Sequence, residues 1–385
     1  NRGSPWRQGF GPTTGTKGRR ALFAMFRPQA SRLRAGSPSV ENQRFGHFQS
    51  SPTLLVAGPP RRAAGAASEI LMARPPKNLC YATGQGRMFH GKAEEVLKSR
   101  VADGFRGNVQ LIFTSPPFPL NRKKKYGNLT GDQFVDWLAA FGPIFRDILA
   151  PNGSIVIEMG NSWVPNEPVM STLALKSLLA FQERNQLHLC QEFICHNPAR
   201  LPSPAQWVTI ERIRLKDSHT KLWWMSPSTR PKANNRNVLT EYSPSMKKLL
   251  KTQRYNPGTR PSEHVINETS FLTDNGGAIP PSVFSAANTV ASDPYQRFCK
   301  EQGIESHPAR MPKALAEFFI RYLTDPGDLV LDPFGGSNTT GEAAENLGRR
   351  WVTVEANLDY IRGSVARFPQ IRSYLKPVAS RKNTP

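Results

Sequence analysis

The sequence predicts an α/β fold in which a mostly parallel sheet carries helices on both faces. Residues 111–114 and 329–331 are short apolar runs rich in branched side chains, a pattern typical of strands buried on both faces. Residues 132–149 repeat apolar side chains every three or four positions, as an amphipathic helix packed on such a sheet does. Buried strands that alternate with amphipathic helices indicate parallel strand pairing.

The strand at residues 329–331 runs into a glycine-rich turn and then into a helix. Gly335 and Gly336 allow the backbone to bend sharply and to approach a ligand closely. The Asn and Thr side chains that follow them can cap a helix over residues 342–347. This order is typical of the first half of a nucleoside-binding β-α-β unit.

A second strand, at residues 351–354, completes the unit and leads to Glu355. That carboxylate lies nineteen residues after Gly336, where nucleotide-binding folds keep an acid for ribose hydroxyls. The loop has no Gly-Lys-Ser/Thr and begins with Asp332, so it would receive a phosphate poorly. An uncharged or cationic nucleoside such as S-adenosylmethionine is the predicted ligand.

Two motifs in the chain resemble those of a known enzyme family. One is similar to the cofactor motif of the DNA amino-methyltransferases and reads Asp332-Pro-Phe-Gly-Gly-Ser-Asn-Thr-Thr-Gly341. The other, Ser115-Pro-Pro-Phe118, resembles their catalytic tetrad in the form used on N4 of cytosine. The tetrad precedes the cofactor motif, which is the circularly permuted order of the beta class. The resemblance covers roughly residues 80–368.

The resemblance implies an S-adenosylmethionine-dependent methyltransferase (Rossmann-like) fold with an inserted target-recognition region. The implied activity is that of a site-specific enzyme of a restriction-modification system, which methylates N4 of cytosine in double-stranded DNA by direct attack of the flipped base's amine. Two alternatives stay open: N6-adenine methylation, which the same permuted fold serves, and a DNA-binding protein that has lost catalysis.

The catalytic roles follow from the chemistry of the cytosine amine, whose lone pair is delocalised into the ring. The Ser115 hydroxyl and the Pro116 carbonyl are each expected to accept one amine hydrogen, and Pro117 helps to keep these acceptors extended. Phe118 can stack on the flipped base. Glu158, at the end of the next strand, can polarise Ser115 or bond the ring N3. No metal is required, and the histidines show no ligand spacing.

Cofactor-binding residues are expected in the glycine-rich loop, at the end of the second strand and in a His-Pro pair. They are Asp332, Phe334, Gly335, Gly336, Ser337, Asn338, Thr339, Thr340, Glu355, His307 and Pro308. Residues 307–312 resemble the family segment that leads a helix, here predicted at 315–323, to the methionine end of the cofactor. Where the family carries Gly-Asp this chain has Gly91-Lys92, and a lysine cannot accept a hydrogen bond. Either no residue replaces the family's carboxylate in holding the adenosyl group, or the affinity for the cofactor is reduced.

The net charge of +22 is concentrated in two segments. Residues 1–68 hold eleven Lys and Arg against one acid, and residues 200–260 hold thirteen against three. This concentration predicts a polyanionic partner, here double-stranded DNA. The expected backbone contacts are Arg122, Lys123, Lys124, Lys125, Lys247, Lys248 and Lys251, and the expected readers of base edges are Arg236 and Asn237.

The cysteines, the paired tryptophans and the lengths of the apolar runs limit the classes of function that the sequence allows. None of the four cysteines follows a proline, so the Pro-Cys nucleophile of cytosine-C5 methylation is not predicted. Their spacing is typical of reduced thiols. Trp223 and Trp224 either pack against the sheet, which is the preferred interpretation, or contact the target base. No apolar run approaches the length of a membrane span.

Five segments are predicted along the chain: a disordered basic arm at 1–70, the catalytic part at 71–225, a target-recognition region at 226–292, the cofactor-binding part at 293–372 and a tail at 373–385. The arm is a DNA-binding tail, an organelle transit peptide or untranslated upstream sequence, since Met72 stands at the folded boundary. The protein is expected to be a monomer in the bacterial cytoplasm at the nucleoid, or in an organelle or nucleus if the arm is a targeting segment. A restriction endonuclease is expected to act on the same site without stable contact.

Overall fold

The computed structural model describes residues 76–118, 129, 131–286 and 293–372. The predicted arm at 1–70, the tail at 373–385 and the end of the predicted recognition region lie outside these ranges.

In the described part the strands are β1 Leu79–Ala82, β2 Gly86–His90, β3 Val109–Thr114, β4 Leu149–Gly160, β5 His188–His196, β6 His219–Ser226, β7 Gly258–Thr259, β8 Val265–Ile266, β9 Val283–Ser285, β10 Leu329–Asp332 and β11 Arg350–Glu355. The helices are α1 Ala93–Lys98, α2 Gly131–Ala139, α3 Phe141–Ile148, α4 Leu173–Arg184, α5 Pro244–Thr252, α6 Pro294–Glu301, α7 Lys313–Leu323, α8 Thr339–Asn346, α9 Leu358–Ser364 and α10 Pro369–Arg372.

Nine of these strands form one sheet in the order β1-β2-β11-β10-β3-β4-β6-β5-β9. The block from β2 to β4 is parallel throughout, and β5 and β9 are also parallel. The pairs β1–β2, β4–β6 and β5–β6 are antiparallel. The predicted α/β fold with a mostly parallel sheet is therefore confirmed. Strands β7 and β8 form a separate two-stranded ribbon.

Helices cover both faces of the sheet, as the apolar strands require. Leu329 and Leu331 pack into one buried cluster with side chains of α1 to α4, whereas Val330 between them packs into a second cluster with α7 and α8. Successive residues of a strand point to opposite faces, so a strand buried on both sides must be apolar at every position. The continuous apolar runs in the sequence have this cause.

The helix predicted over residues 132–149 is two helices, α2 and α3, which meet at Ala140. The break comes from Pro143, which has no N–H to donate and whose ring would collide with the carbonyl four residues earlier in a continuous helix. That carbonyl belongs to Ala139, and it accepts a hydrogen bond from Asn185 Nδ2 at 3.0 Å. The spacing of apolar residues continues unchanged from α2 into α3. For this reason the sequence pattern predicts a single helix.

Strand β6 contains the paired tryptophans of the basic segment. Trp223 and Trp224 are almost fully buried on its opposite faces, and the indole N–H of Trp224 donates to Ser154 Oγ at 2.9 Å. Trp223 Nε1 donates to Glu192 Oε2 at 3.1 Å. The preferred interpretation, in which the paired tryptophans pack the sheet, is confirmed.

The parallel block gives the sheet two distinct edges. At the carboxyl edge β3 ends at Thr114 directly before Ser115, β4 ends at Gly160 two residues after Glu158, and β10 and β11 end at Asp332 and Glu355. At the amino edge the same strands begin, about 20 Å away by the length of the six-residue β3. Ligands of open α/β sheets bind at the carboxyl edge.

Candidate active site at the carboxyl edge of the sheet

A cavity of about 700 Å³ opens at the carboxyl edge. The predicted catalytic tetrad lines it together with Trp137, His307, Phe334 and Glu355. A smaller pocket of about 50 Å³ shares Ser115, His307 and Phe334 with it and reaches the glycine-rich loop. A cavity of this size lies within the range of sites for cofactor-sized ligands.

Asp332 ties the cofactor loop to the end of the neighbouring strand. Its Oδ1 accepts hydrogen bonds from Thr114 Oγ1 at 2.7 Å and from Phe334 N at 3.0 Å, and its Oδ2 accepts from Thr340 Oγ1 at 2.7 Å. Burial raises the pKa of this carboxyl, and these hydrogen bonds oppose the rise. The side chain lines the smaller pocket and also holds the loop between β3 and α8.

The glycines are required by close approaches at the loop. Gly336 has φ +51°, and a Cβ there would lie 3.0 Å from His307 Nε2. Asn338 adopts the left-handed region as well and caps α8, since its Oδ1 accepts from Gly341 N at 3.1 Å. Asn338 is fully buried, so its side chain supports the loop from behind and does not face the cavity. The predicted capping role is confirmed, and direct cofactor contact by Asn338 stays a prediction.

Glu355 ends β11 with its carboxylate on the cavity wall. Its Oε2 accepts from Gly336 N and its Oε1 from Asn357 N, both at 2.7 Å. Burial raises the pKa of the carboxyl, and these backbone donors lower it. A carboxylate has about four acceptor positions, so each oxygen can also accept a hydroxyl hydrogen from a ligand in the cavity.

Aromatic side chains form the cavity wall next to the loop. The Phe334 ring packs against Trp137 and Phe141, with ring centroids 5.6 and 5.3 Å apart. Phe134 contacts Trp137 from the other side at 5.6 Å. Such a wall provides the flat apolar surface that a purine ring requires.

Ser115 and Glu158 lie side by side because β3 and β4 are parallel neighbours. The Ser115 hydroxyl is close enough to the Glu158 carboxylate to favour its charged form, and Glu158 Oε1 accepts a hydrogen bond from Thr220 Oγ1 at 2.8 Å. Burial raises the pKa of Glu158, and the hydrogen bonds from Thr220 and Ser115 and the nearby Arg200 guanidinium oppose the rise. A buried carboxylate with a raised pKa, hydrogen bonded to a cavity hydroxyl, is suited to accept a proton.

The Phe118 ring lies close to the backbone of Gly160. A Cβ on Gly160 would come within 2.7 Å of the Phe118 ring, so glycine at this position allows the ring to lie where it does. The ring faces the cavity with Pro116 and Pro117. The tetrad thus presents a hydroxyl, a carbonyl and an aromatic face at one place.

The remaining predicted cofactor residues differ in their positions. His307 lines both cavities, and its backbone N–H donates to the Tyr295 hydroxyl at 2.8 Å. Pro308 is exposed, and its neighbour Ala309 lines the cavities in its place. Lys92 is at the rim with its side chain 68% exposed and paired with Glu95, whereas Glu94 also lines the cavity.

The residues predicted to contact DNA fall into three groups, which differ in their position in the structure. The cations at 122–125 lie outside the described residues. Lys247, Lys248 and Lys251 are exposed on α5, and backbone contact by them stays a prediction. Arg236 and Asn237 lie at the amino edge, where Asn237 Nδ2 donates to the carbonyl of Arg321 at 3.1 Å.

The position of Arg236 and Asn237 is fixed by contacts of the segment that precedes them, and base reading by these two residues stays a prediction. The preceding Lys232 pairs with Asp325 and Asp328, which directly precede β10, and its N–H donates to the Asn152 carbonyl near the start of β4. The segment is thereby held about 20 Å from the cavity, by the length of the strands between the edges.

Sequence patterns alone do not reveal several residues of the site. Thr220 and Arg200 reach Glu158 from the far side of β4, and Trp137 reaches the cavity from α2. The only available signal for Thr220 and Arg200 is their place in the basic segment 200–260. Trp137 appears in the sequence as one of several apolar residues of a helix.

Comparison with known proteins agrees with this geometry. The family model described as DNA methylase matches residues 109–366. The type II methyltransferase M.PvuII of Proteus hauseri is 41% identical over 294 residues, which are 76% of this chain and 86% of that protein. The DNA adenine methyltransferase YhdJ of Escherichia coli (strain K12) is 25% identical over 74% of this chain and 84% of that protein.

A solved structure extends the similarity to three dimensions. The PvuII DNA methyltransferase (cytosine-N4-specific) superposes with a TM-score of 0.61 and 35% identity over 76% of this chain and 89% of that chain. The family match spans more than half of the chain and includes both the tetrad and the glycine-rich loop. The chain therefore belongs to the DNA methylase family.

Proposed function

We propose that this protein is a site-specific DNA methyltransferase that transfers a methyl group from S-adenosylmethionine to N4 of cytosine in double-stranded DNA. The observation that supports this assignment is the Ser-Pro-Pro-Phe turn, which lines the cavity and whose Ser115 lies beside the buried Glu158 of the neighbouring strand. The relative named M.PvuII and the solved cytosine-N4-specific enzyme support cytosine N4 over adenine N6.

The residues of the cavity fit S-adenosylmethionine. Glu355 can accept both ribose hydroxyls, and Phe334 and Trp137 form the apolar wall for the adenine. Gly336 keeps open the space beside His307 that a side chain would fill. The small pocket between Ser115 and the glycine loop, which His307 also lines, would hold the methionine end of the cofactor next to the tetrad.

The chain's own groups then prepare the amine for attack. When bound, S-adenosylmethionine supplies a methyl group on a sulfonium, which leaves as a neutral thioether. Ser115 Oγ and the Pro116 carbonyl each accept one hydrogen of the amine and so direct its lone pair toward the methyl group. Phe118 holds the extruded base by stacking on it. As the new N–C bond forms, one amine proton passes through Ser115 Oγ to the Glu158 carboxylate.

The thiols of the chain are unsuited to the alternative chemistry at cytosine C5. That reaction needs a thiolate nucleophile, and burial raises the pKa of all four cysteines. Cys195, which is near Glu158, has its pKa raised to about 11 by burial and by that carboxylate. These cysteines stay protonated at neutral pH.

The same proposal covers partners and location. The protein acts as a monomer on DNA in the bacterial cytoplasm, and a restriction endonuclease cleaves the same site when it is unmethylated. The bacterial relatives support this setting. In the described residues, no helix is both long enough and apolar enough to span a bilayer.

The test is to incubate the purified protein with S-adenosylmethionine and bacterial genomic DNA, digest the DNA to nucleosides and identify the product by mass spectrometry. We expect N4-methylcytosine, and Ser115→Ala should reduce it strongly. N6-methyladenine as the sole product would overturn the cytosine assignment. Absence of product together with absence of calorimetric cofactor binding would favour a DNA-binding protein without catalysis.

A further inference from the structure

The loop between β5 and β6, residues 197–218, lies at the carboxyl edge beside the active site. β5 ends there with His196 and β6 begins there with His219, because the two strands form an antiparallel pair in which these residues are partners. The Asn197 N–H donates to the Ser218 carbonyl at 2.7 Å and closes the base of the loop. Arg200 of this loop is close enough to Glu158 to favour its charged form.

The loop exposes large aliphatic side chains to solvent. The exposed fraction is 79% for Leu201, 68% for Ile210, 56% for Ile213 and 89% for Leu215. Grouped exposed aliphatic side chains of this kind mark an interaction site. The base of the loop lies at the carboxyl edge of the sheet, where the tetrad also lies, so the substrate that enters at this edge is the partner that fits.

The charge of the loop matches a nucleic acid. The loop has four cations, Arg200, Arg212, Arg214 and Lys216, against the two acids Glu211 and Asp217. Cations interleaved with exposed aliphatic residues fit the grooves of DNA, where cations contact phosphates and apolar side chains contact or separate bases. DNA must approach this same edge to bring a base to Ser115, and the loop is linked to the site by Arg200, whose charge acts on Glu158.

A rigid framework holds the aliphatic side chains outward. Trp207, in the single π-helical turn Gln206–Ile210, packs on Trp163 of the loop after β4 with ring centroids 6.0 Å apart. The Arg214 guanidinium lies 5.7 Å from the Trp163 ring centroid. Lys216 Nζ donates to the Pro198 carbonyl at 3.2 Å and joins the two ends of the loop. The exposed tips are therefore preorganised, which reduces the entropy lost on binding.

We propose that Ile210, Ile213 and Leu215 form a wedge that enters the duplex beside the target cytosine and stabilises the state in which that base has left the stack. The inference rests on the proposed function, since a base that is methylated inside the cavity must be flipped. Removing a base from the stack costs a few kcal/mol, and inserted Leu and Ile side chains offset such unstacking in proteins that kink DNA.

The test uses the triple variant Ile210→Ser, Ile213→Ser, Leu215→Ser. Its matched control is Leu175→Ser, Leu179→Ser, Leu189→Ser, which replaces three aliphatic residues that are 37, 53 and 43% exposed on α4 and at the amino edge. Substitutions at exposed positions change stability little, so both variants should fold. Thermal unfolding of each variant checks this.

Single-turnover methylation is measured at saturating DNA on a site mapped by sequencing wild-type-methylated DNA. One duplex has the target cytosine paired with guanine, and the other has it opposite a mismatched base, which lowers the cost of flipping. The wedge variant should be slower by about 10-fold or more on the paired duplex and within about 3-fold of wild type on the mismatched one. The control should match wild type on both.

A fluorescent cytosine analogue, pyrrolocytosine, at the target position reports unstacking without methyl transfer. Wild type and control should brighten it, and the wedge variant should not. Equal rates for wild type and wedge variant on the paired duplex, or equal losses on both duplexes, would overturn the wedge and leave the proposed function intact. A wild-type protein that modifies no DNA would overturn the proposed function and the wedge together.

Discussion

Replacing Thr220 by valine should move the pH dependence of methylation to higher pH. Thr220 Oγ1 donates to Glu158 Oε1 at 2.8 Å, and the isosteric valine removes this donor without changing the packing volume greatly. Glu158 is 7% exposed, so water does not replace the lost hydrogen bond easily. The variant isolates the effect of one donor on the proposed catalytic base.

The magnitude follows from the energy of a hydrogen bond to a charged group. Such a bond stabilises the carboxylate by about 1.5 to 3 kcal/mol, and 1.36 kcal/mol corresponds to a tenfold change in the ionisation equilibrium. Burial already raises the pKa of Glu158, and the Thr220 hydrogen bond lowers it, so loss of that bond raises it further. The rate of methylation requires the carboxylate form, so the acid limb should move up by about one to two pH units.

The assay is the single-turnover methylation rate as a function of pH at saturating cofactor and DNA. Thr83→Val is the matched control, because Thr83 Oγ1 also donates to a glutamate, Glu345, at 2.7 Å but outside the cavity. Its pH profile should coincide with that of wild type. A folded Thr220→Val protein whose acid limb lies at or below the wild-type pH would refute the role of Glu158 as the proton acceptor.

Further predictions concern the tetrad and the cofactor loop. Ser115→Ala should lower the single-turnover rate by about 100-fold or more while the calorimetric Kd for S-adenosylmethionine changes little. Glu355→Ala should raise that Kd by about 10- to 150-fold, from about 1.5 to 3 kcal/mol of lost hydrogen bonding, and an unchanged Kd would contradict ribose binding. Gly160→Ala places a Cβ 2.7 Å from the Phe118 ring, so methylation should slow by up to about 100-fold with normal cofactor binding. Arg367→Gln should lower the free energy of unfolding in urea by about 3 to 5 kcal/mol, because the buried Arg367 guanidinium joins the glycine loop to two carboxylates.

The sequence by itself determined the local units of this protein. β3 and β10 contain the short apolar runs 111–113 and 329–331, and the glycine loop, its helix cap and the carboxylate that ends β11 follow β10 at fixed spacings. Each depends on residues close together in the chain, so hydrophobic periodicity and turn chemistry are sufficient to predict it. The tetrad at the end of β3 and the placement of Glu158 beside it follow from the same local patterns and from parallel pairing of neighbouring strands.

Only the tertiary structure decided which distant segments reach the active site. The sequence of residues 219–226 does not indicate that β6 pairs antiparallel with β4. The antiparallel direction of β6 brings Thr220 to Glu158 and leaves Ser226 at the opposite edge of the sheet. As a result the chain after Ser226, including Arg236 and Asn237, is held at the amino edge, and the loop at 197–218 lies beside the cavity. Strand order and direction are set by how the whole sheet buries its two apolar faces, including Trp223 and Trp224. That burial is a property of all the strands together, and no local pattern in the sequence encodes it.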